Sequence, residues 1–168
     1  MALITTRIMF RVLHRSIRNT DLVGSKLLNE TTFYNIFLKD LERCGSELLI
    51  ESPFISNRRL AILLPTLQKL KQRKVRIVIN TLDPEEHDDE YMSSEARLAV
   101  AELQKQGMHV LYTSGHHRKL AVIDRCILYK GSLNILSQNN SSETMIRIES
   151  IPLAWQMIKF VQIDKFVT

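Results

Sequence analysis

The chain reads as an α/β protein: a sandwich of helices around a mixed, partly antiparallel sheet. Three observations predict this. Short β-branched runs alternate with apolar stripes of helical spacing along the chain. Two such runs flank Asp124-Arg125 too closely for a crossover, so they pair as a hairpin and make the sheet partly antiparallel. The 168 residues contain only 5 Gly and 4 Pro, which leaves no low-complexity linker and suits one domain.

Phe33, Ile36, Phe37 and Leu41 recur at helical spacing, with Thr31 or Thr32 as cap and Gly45 as stop. Glu47 to Ser52 reads as a short buried strand ended by Pro53. Leu60, Leu63, Leu64, Leu67 and Leu70 mark a second helix, capped by Ser56 or Asn57, in which Pro65 predicts a kink or a split. Val75 to Asn80 is a second strand. Asp83 to Glu90 reads as a solvated acidic loop, with a metal site there the minor alternative. A helix then starts at Ser93 or Ser94, carries Leu98, Ala101 and Leu103, and stops at Gly107. Met108 to Thr113, Lys119 to Ile123, Cys126 to Lys130 and Met145 to Ile148 read as further strands, and Leu153 to Phe166 as a closing helix.

The composition, 45% apolar and 24% charged, is that of a globular chain with a real core. No stretch reaches the ~20 apolar residues of a membrane-spanning helix. The first 20 residues are rich in arginine and free of acids, which suits a transit peptide or a basic helix. Arginines interrupt any signal-peptide core, so the cytosol is the default location. Cys44 and Cys126 lack metal-ligand spacing and read as buried thiols.

Net charge is +5, unevenly spread: residues 1–80 carry 14 Lys and Arg against 6 Asp and Glu, whereas residues 81–110 carry 2 against 8. The basic portion suits a polyanionic partner, nucleic acid or an anionic membrane, against the plainer reading of ordinary surface charge.

The chemistry concentrates in one stretch. His117, Lys119 and Asp124 form H-x-K-x-x-x-x-D, followed by Gly131-Ser132-Leu133-Asn134. On a strand, residues two apart share a face, so His117 pairs with Lys119 and Ser132 with Asn134, while Asp124 has the opposite parity. Imidazole titrates near neutral pH and can attack phosphorus or carry a proton. An ammonium with hydroxyl and amide donors suits the non-bridging oxygens of a phosphate. Gly131 lets the backbone turn closely beside them. These parts need no metal and no cofactor. His14, His87 and His109 read as structural or surface residues, and His116 faces the other side of the strand.

These residues resemble the phospholipase D superfamily, whose signature is HxKxxxxD followed by GSxN. The likeness runs over residues 115–148 and extends upstream through ELLIESPFIS and KVRIVINT, covering most of the chain from Thr31. It therefore divides the chain into a basic segment, 1–30, and a phospholipase D-like α-β-α domain, 31–168. The run LSQNNSSETMIRI is most similar to nuclease-type members, found alone or joined to helicases.

By resemblance, His117 is the nucleophile that forms a phosphohistidine, and Lys119 and Asn134 bind phosphate with Ser132 assisting. Asp124 supports the motif's structure, and Glu143 orients the histidine, with Glu149 as the other candidate. The motif occurs once, whereas two-motif members use one histidine to attack and another to protonate the leaving oxygen. A single copy therefore implies a homodimer that completes the site across a two-fold axis.

The expected function is a metal-independent phosphodiesterase acting on nucleic acid, an endonuclease with DNA favoured over RNA. A helicase or other DNA-processing partner is a candidate associate. Arg7, Arg11, Arg15 and Arg18 recur at helical spacing and could touch the nucleic-acid backbone, or form a solvated face or dimer arm. The alternatives are a phospholipid-headgroup phosphodiesterase and a non-catalytic nucleic-acid-binding subunit.

Overall fold

A computed structural model of the protein describes residues 24–137 and 141–163. The elements are β1 (Ser25–Asn29), α1 (Phe33–Arg43), β2 (Glu47–Glu51), α2 (Asn57–Gln72), β3 (Arg76–Thr81), a 3-10 turn (Pro84–Glu86), α3 (Glu90–Lys105), β4 (His109–Tyr112), β5 (Leu120–Ile123), β6 (Ile127–Gly131), β7 (Thr144–Glu149) and α4 (Ile151–Val161). The seven strands form one sheet in the order β1-β7-β6-β5-β2-β3-β4. β2, β3 and β4 run parallel, while β2 to β5, β5 to β6, β6 to β7 and β7 to β1 are antiparallel. The expected α/β fold with a mixed sheet is what the structure shows.

Strand alternation builds both faces. Leu48, Ile50, Ile77, Ile79, Ala121 and Tyr129 meet α1, α2 and α3 on one side. Leu49, Val78, Leu120, Val122 and Leu128 meet Ala154, Ile158 and Val161 of α4 on the other. Phe33 and Phe37 of α1 stack at 5.0 Å and both pack edge-on against Tyr129. Beneath them lies a buried polar set: Arg147 of β7 reaches Asp40 of α1 at 2.6 Å, and the Tyr129 hydroxyl donates to the same carboxylate.

Several expectations need correction. β1 has no counterpart in the sequence reading and places the start of the sheet before Thr31. It is an edge strand with only Leu28 buried, so it carries no alternation to detect. α2 runs unbroken through Pro65, without the split. Pro65 and Ala61, the residue four before it, are exposed, so the carbonyl freed by the missing N–H faces water. Meanwhile Leu60, Leu63, Leu67 and Leu70 hold one continuous buried face. α3 begins at Glu90, capped by Asp89, whose side chain accepts from the Met92 N–H at 2.9 Å. Its buried face is Ser93, Ala96, Ala99, Val100 and Leu103, whereas Leu98 and Ala101 face solvent. The acidic segment includes the 3-10 turn, capped by Asp83, and so is partly structured rather than all loop. α4 starts at Ile151, two residues early, and ends at Val161, where Gln162 turns left-handed at φ 57°; the expected end at Phe166 lies outside the described residues.

Gly131 ends β6 where the backbone of β7 comes closest. A Cβ there would sit 2.0 Å from the Thr144 carbonyl oxygen and 2.8 Å from Met145 Cα. Backbone cannot swing aside as a flexible side chain can, so Gly131→Ala is expected to destabilise the protein by about 1–3 kcal/mol. An equilibrium urea titration reads this as a lower midpoint at unchanged slope.

Candidate active site

The parallel strands β2, β3 and β4 all end at one edge of the sheet, and the antiparallel β5 begins there. Register fixes the neighbours: Glu51 pairs with Leu120, Leu120 with Lys130 and Gly131 with Met145. His117 and Lys119 just before β5, Ser132 and Asn134 just after β6, and Glu143 just before β7 therefore share one end of the molecule. In open α/β sheets this carboxyl end is where ligands are bound.

β5 starts at Leu120, so His117 and Lys119 lie on the segment leading into it rather than on the strand itself. His117 is exposed and His116 buried, as the parity argument expected. The Lys119 ammonium donates to the His117 carbonyl oxygen at 2.8 Å, which keeps the cation beside the histidine. Burial lowers the pKa of His116, outweighing the Glu51 charge and the Asn80 carbonyl, both of which raise it. His116 is thus a neutral ring under the motif.

Ser132 and Asn134 do not share a strand face, because β6 ends at Gly131 and a turn follows. The Ser132 hydroxyl accepts from the Thr144 N–H at 3.1 Å. The turn is anchored by Leu133, Ile135 and Leu136, all fully buried, and by the Tyr34 hydroxyl, which donates to the Ile135 carbonyl at 2.9 Å. Within it the Asn134 Oδ1 is buried and has no hydrogen-bond partner among the described residues. A buried acceptor left open in this way is costly in a resting protein.

Glu143 stands beside Ser132 at the start of β7. Its Oε1 accepts from the Ser141 hydroxyl at 3.0 Å, and its N–H donates to Glu30 at 3.1 Å. Glu149 sits at the far end of β7, opposite Ile127, and pairs with Arg147 at 3.2 Å. Of the two acids only Glu143 lies at the motif's end of the sheet. Arg7, Arg11, Arg15 and Arg18 lie outside the described residues.

Sequence reasoning missed Glu51. It is fully buried at the last position of β2, where Arg118 donates to both its oxygens at 2.6 and 3.0 Å and Asn80 donates at 2.9 Å. Thr113 completes the chain by donating to Asn80 Oδ1 at 3.0 Å. The residue between His117 and Lys119 is thus tied to the core by a two-pronged charged bond, the stronger kind of hydrogen bond. The acidic turn is joined here too: Glu86 accepts from the Ser114 hydroxyl at 3.1 Å and the Gly115 N–H at 3.3 Å.

Asp124 sits at the opposite end of β5, a strand's length from His117 and Lys119. With Arg125 it forms the hairpin turn, both residues at positive φ (50° and 54°), and the Cys126 N–H closes the turn on Ile123 at 3.0 Å. Its carboxylate accepts from the N–H groups of Gly45, Ser46 and Glu47 at 2.8, 2.8 and 2.9 Å, and from the Ser46 hydroxyl at 2.7 Å. Burial alone would raise its pKa, but these donors outweigh burial and hold it at about 2. Burial and the nearby Asp124 charge push the Cys44 thiol up to about 12, so Cys44 stays an unreactive thiol.

Among the described residues, no group of three or more His, Cys, Asp and Glu side chains is placed to hold a metal ion. None of their helices is long and apolar enough to cross a membrane.

The family model described as "Cardiolipin synthase, PLD-like domain" matches residues 37–163. The chain belongs to the phospholipase D-like family of phosphodiesterases. A phospholipase D family member, Nuc from Salmonella typhimurium, superposes with a TM-score of 0.65 at 17% identity, covering 83% of this chain and 91% of that one. NucT from Helicobacter pylori gives 0.65 at 16% identity, covering 83% and 93%. Polyphosphate kinase from Porphyromonas gingivalis gives 0.64 at 12% identity, covering 83% of this chain and 26% of that one. No curated protein sequence matches the chain. At these identities the structural likeness is one of fold.

The Asp124 geometry gives a signed pH dependence. Its folded pKa, about 2, lies below the unfolded carboxylate value of ~3.9, so its stabilisation is fully present above about pH 4 and disappears as pH falls toward 2. Asp124→Asn should lower the unfolding midpoint at pH 7, and the gap from the unsubstituted protein should close between about pH 4 and 2. Urea titrations across that range measure it; a gap that stays constant with pH would remove the carboxylate's charge from the account.

Proposed function

We propose that this phospholipase D-like chain is a metal-independent nuclease, with DNA favoured over RNA, working through a phosphohistidine at a dimer interface. The observation that carries this reading is the convergence of His117, Lys119, Ser132 and Asn134 at one end of the sheet, with His117 and Ser132 exposed. The His117 ring attacks phosphorus while Lys119, Asn134 and Ser132 hold the non-bridging oxygens. The partner subunit's histidine protonates the departing oxygen. That same ring then takes a proton from water, which attacks the phosphohistidine and frees His117. Glu143 is the acid we assign to hold the other ring nitrogen and raise its nucleophilicity.

The motif's single occurrence supports the dimer, since one chain supplies one HxK histidine and the chemistry uses two. Arg7, Arg11, Arg15 and Arg18 would add contacts to the nucleic-acid backbone, and a helicase or similar enzyme would deliver substrate. We place the reaction in the cytosol, where unpaired thiols such as Cys44 and Cys126 persist. A second reading, hydrolysis of a phospholipid-headgroup ester, draws on α4, where Ile151, Trp155 and Phe160 remain exposed.

The test incubates purified protein with single-stranded DNA, duplex DNA, RNA and phospholipid vesicles in EDTA. Nucleic-acid cleavage should persist, and His117→Ala should lower its rate at least ~1,000-fold while the protein still binds. Mixing active protein with excess His117→Ala should depress activity further than dilution does, because mixed dimers lack one histidine. Loss of activity in EDTA, release of headgroups in preference to nucleotides, or full activity in a monomeric fraction would each overturn the corresponding part.

A further inference from the structure

A cleft of about 320 Å³ opens beside Asn134, lined by Phe54, Ile55 and Ser56 after β2, by His87, Tyr91, Met92 and Glu95 before and within α3, and by Ser137. Its two sides are fastened together: the Ser56 N–H donates to the Leu136 carbonyl at 2.9 Å, and the Leu136 N–H donates to the Ser52 hydroxyl at 3.2 Å. The opening is therefore built into the fold.

Three aromatic rings face this space. Phe54 and His87 lie 5.5 Å apart with their planes tilted by 36°, and Tyr91 is 75% exposed. Among the described residues, two buried polar atoms of its lining residues have no partner, His87 Nε2 and Asn134 Oδ1. Glu95 lines the cleft itself, and the segment before Tyr91 is acidic in sequence, with Glu85, Glu86, Asp88, Asp89 and Glu90. Beside the Glu95 carboxylate the cleft's interior disfavours a phosphate, whereas a neutral planar ring with donors and acceptors on its edge is not repelled.

We propose that this cleft takes an unstacked nucleobase next to the phosphate held by Asn134, and so selects single-stranded nucleic acid. The inference rests on the nuclease reading above and adds the substrate form to it. Tyr91 and Phe54 supply stacking faces, which accept any base. A base paired within a duplex is stacked on both faces and cannot enter without being flipped out.

Binding to the inactive His117→Ala protein tests this apart from cleavage. The probe is a short fluorescent single-stranded oligonucleotide, with or without one abasic position next to the central phosphate. The base-bearing strand should bind about tenfold more tightly or better. Adding Tyr91→Ala, a change at an exposed position that leaves the melting temperature in place, should bring that ratio to within about twofold. Equal binding of the two strands overturns the base cleft and leaves any metal-independent cleavage standing. A clear base preference in a protein that cleaves nothing overturns the nuclease reading and leaves the cleft. Displacement of the strand by a short-chain phospholipid but not by a mononucleotide overturns the base assignment in favour of a lipid.

Discussion

The carboxylate of Asp124 holds the central strand of this molecule in place. It gathers the N–H groups of Gly45, Ser46 and Glu47 at the start of β2 and so sets how β5 lies against β2. Because side chains alternate along a strand, a slip of one residue would turn the buried Leu120 and Val122 to the wrong face and carry the motif with them. Arg125 reinforces the same corner, reaching Glu47 at 2.6 Å while its guanidinium lies 4.4 Å from the Trp155 ring centre. The chemistry at one end of β5 depends on a clamp at the other.

The reactive end has its own clamp in Glu51. A fully buried carboxylate is costly unless paired and hydrogen-bonded, and here Arg118 and Asn80 meet that condition. The same bond tethers the residue between His117 and Lys119, which limits how far either can wander. β5 is thus held by one acid at each end, with His117 exposed just before it. Positioning of this sort is the larger part of what a protein supplies to phosphoryl transfer.

How much of this could be seen in the sequence depended on distance along the chain. The motif was legible because His117, Lys119, Ser132 and Asn134 lie within one short stretch, and the hairpin around Asp124 followed from two β-rich runs set close together. Glu51 was not legible: in Glu47 to Ser52 it looks like the polar end of an apolar strand, and its partner Arg118 lies 67 residues away. The cleft draws on three separated segments, none distinctive alone. The start of α3 was hidden because an acidic run looks solvated, although Asp89 at its end is a good cap. Strand parity served His116 and His117 well, but it failed for Ser132 and Asn134, where Gly131 ends the strand and a turn begins.

β1 carries a consequence for the order in which the protein assembles. It is an early element of the chain, yet its partner in the sheet is β7, the last strand, and Glu30 just beyond it holds the Glu143 N–H across 113 residues. A growing chain that reached only β6 would have most of its core but no seat for β1 and no Glu143. Contacts this remote in sequence form late and slow the final step of folding. Glu143 therefore arrives with the closing strand, so a truncated product would hold His117 without Glu143.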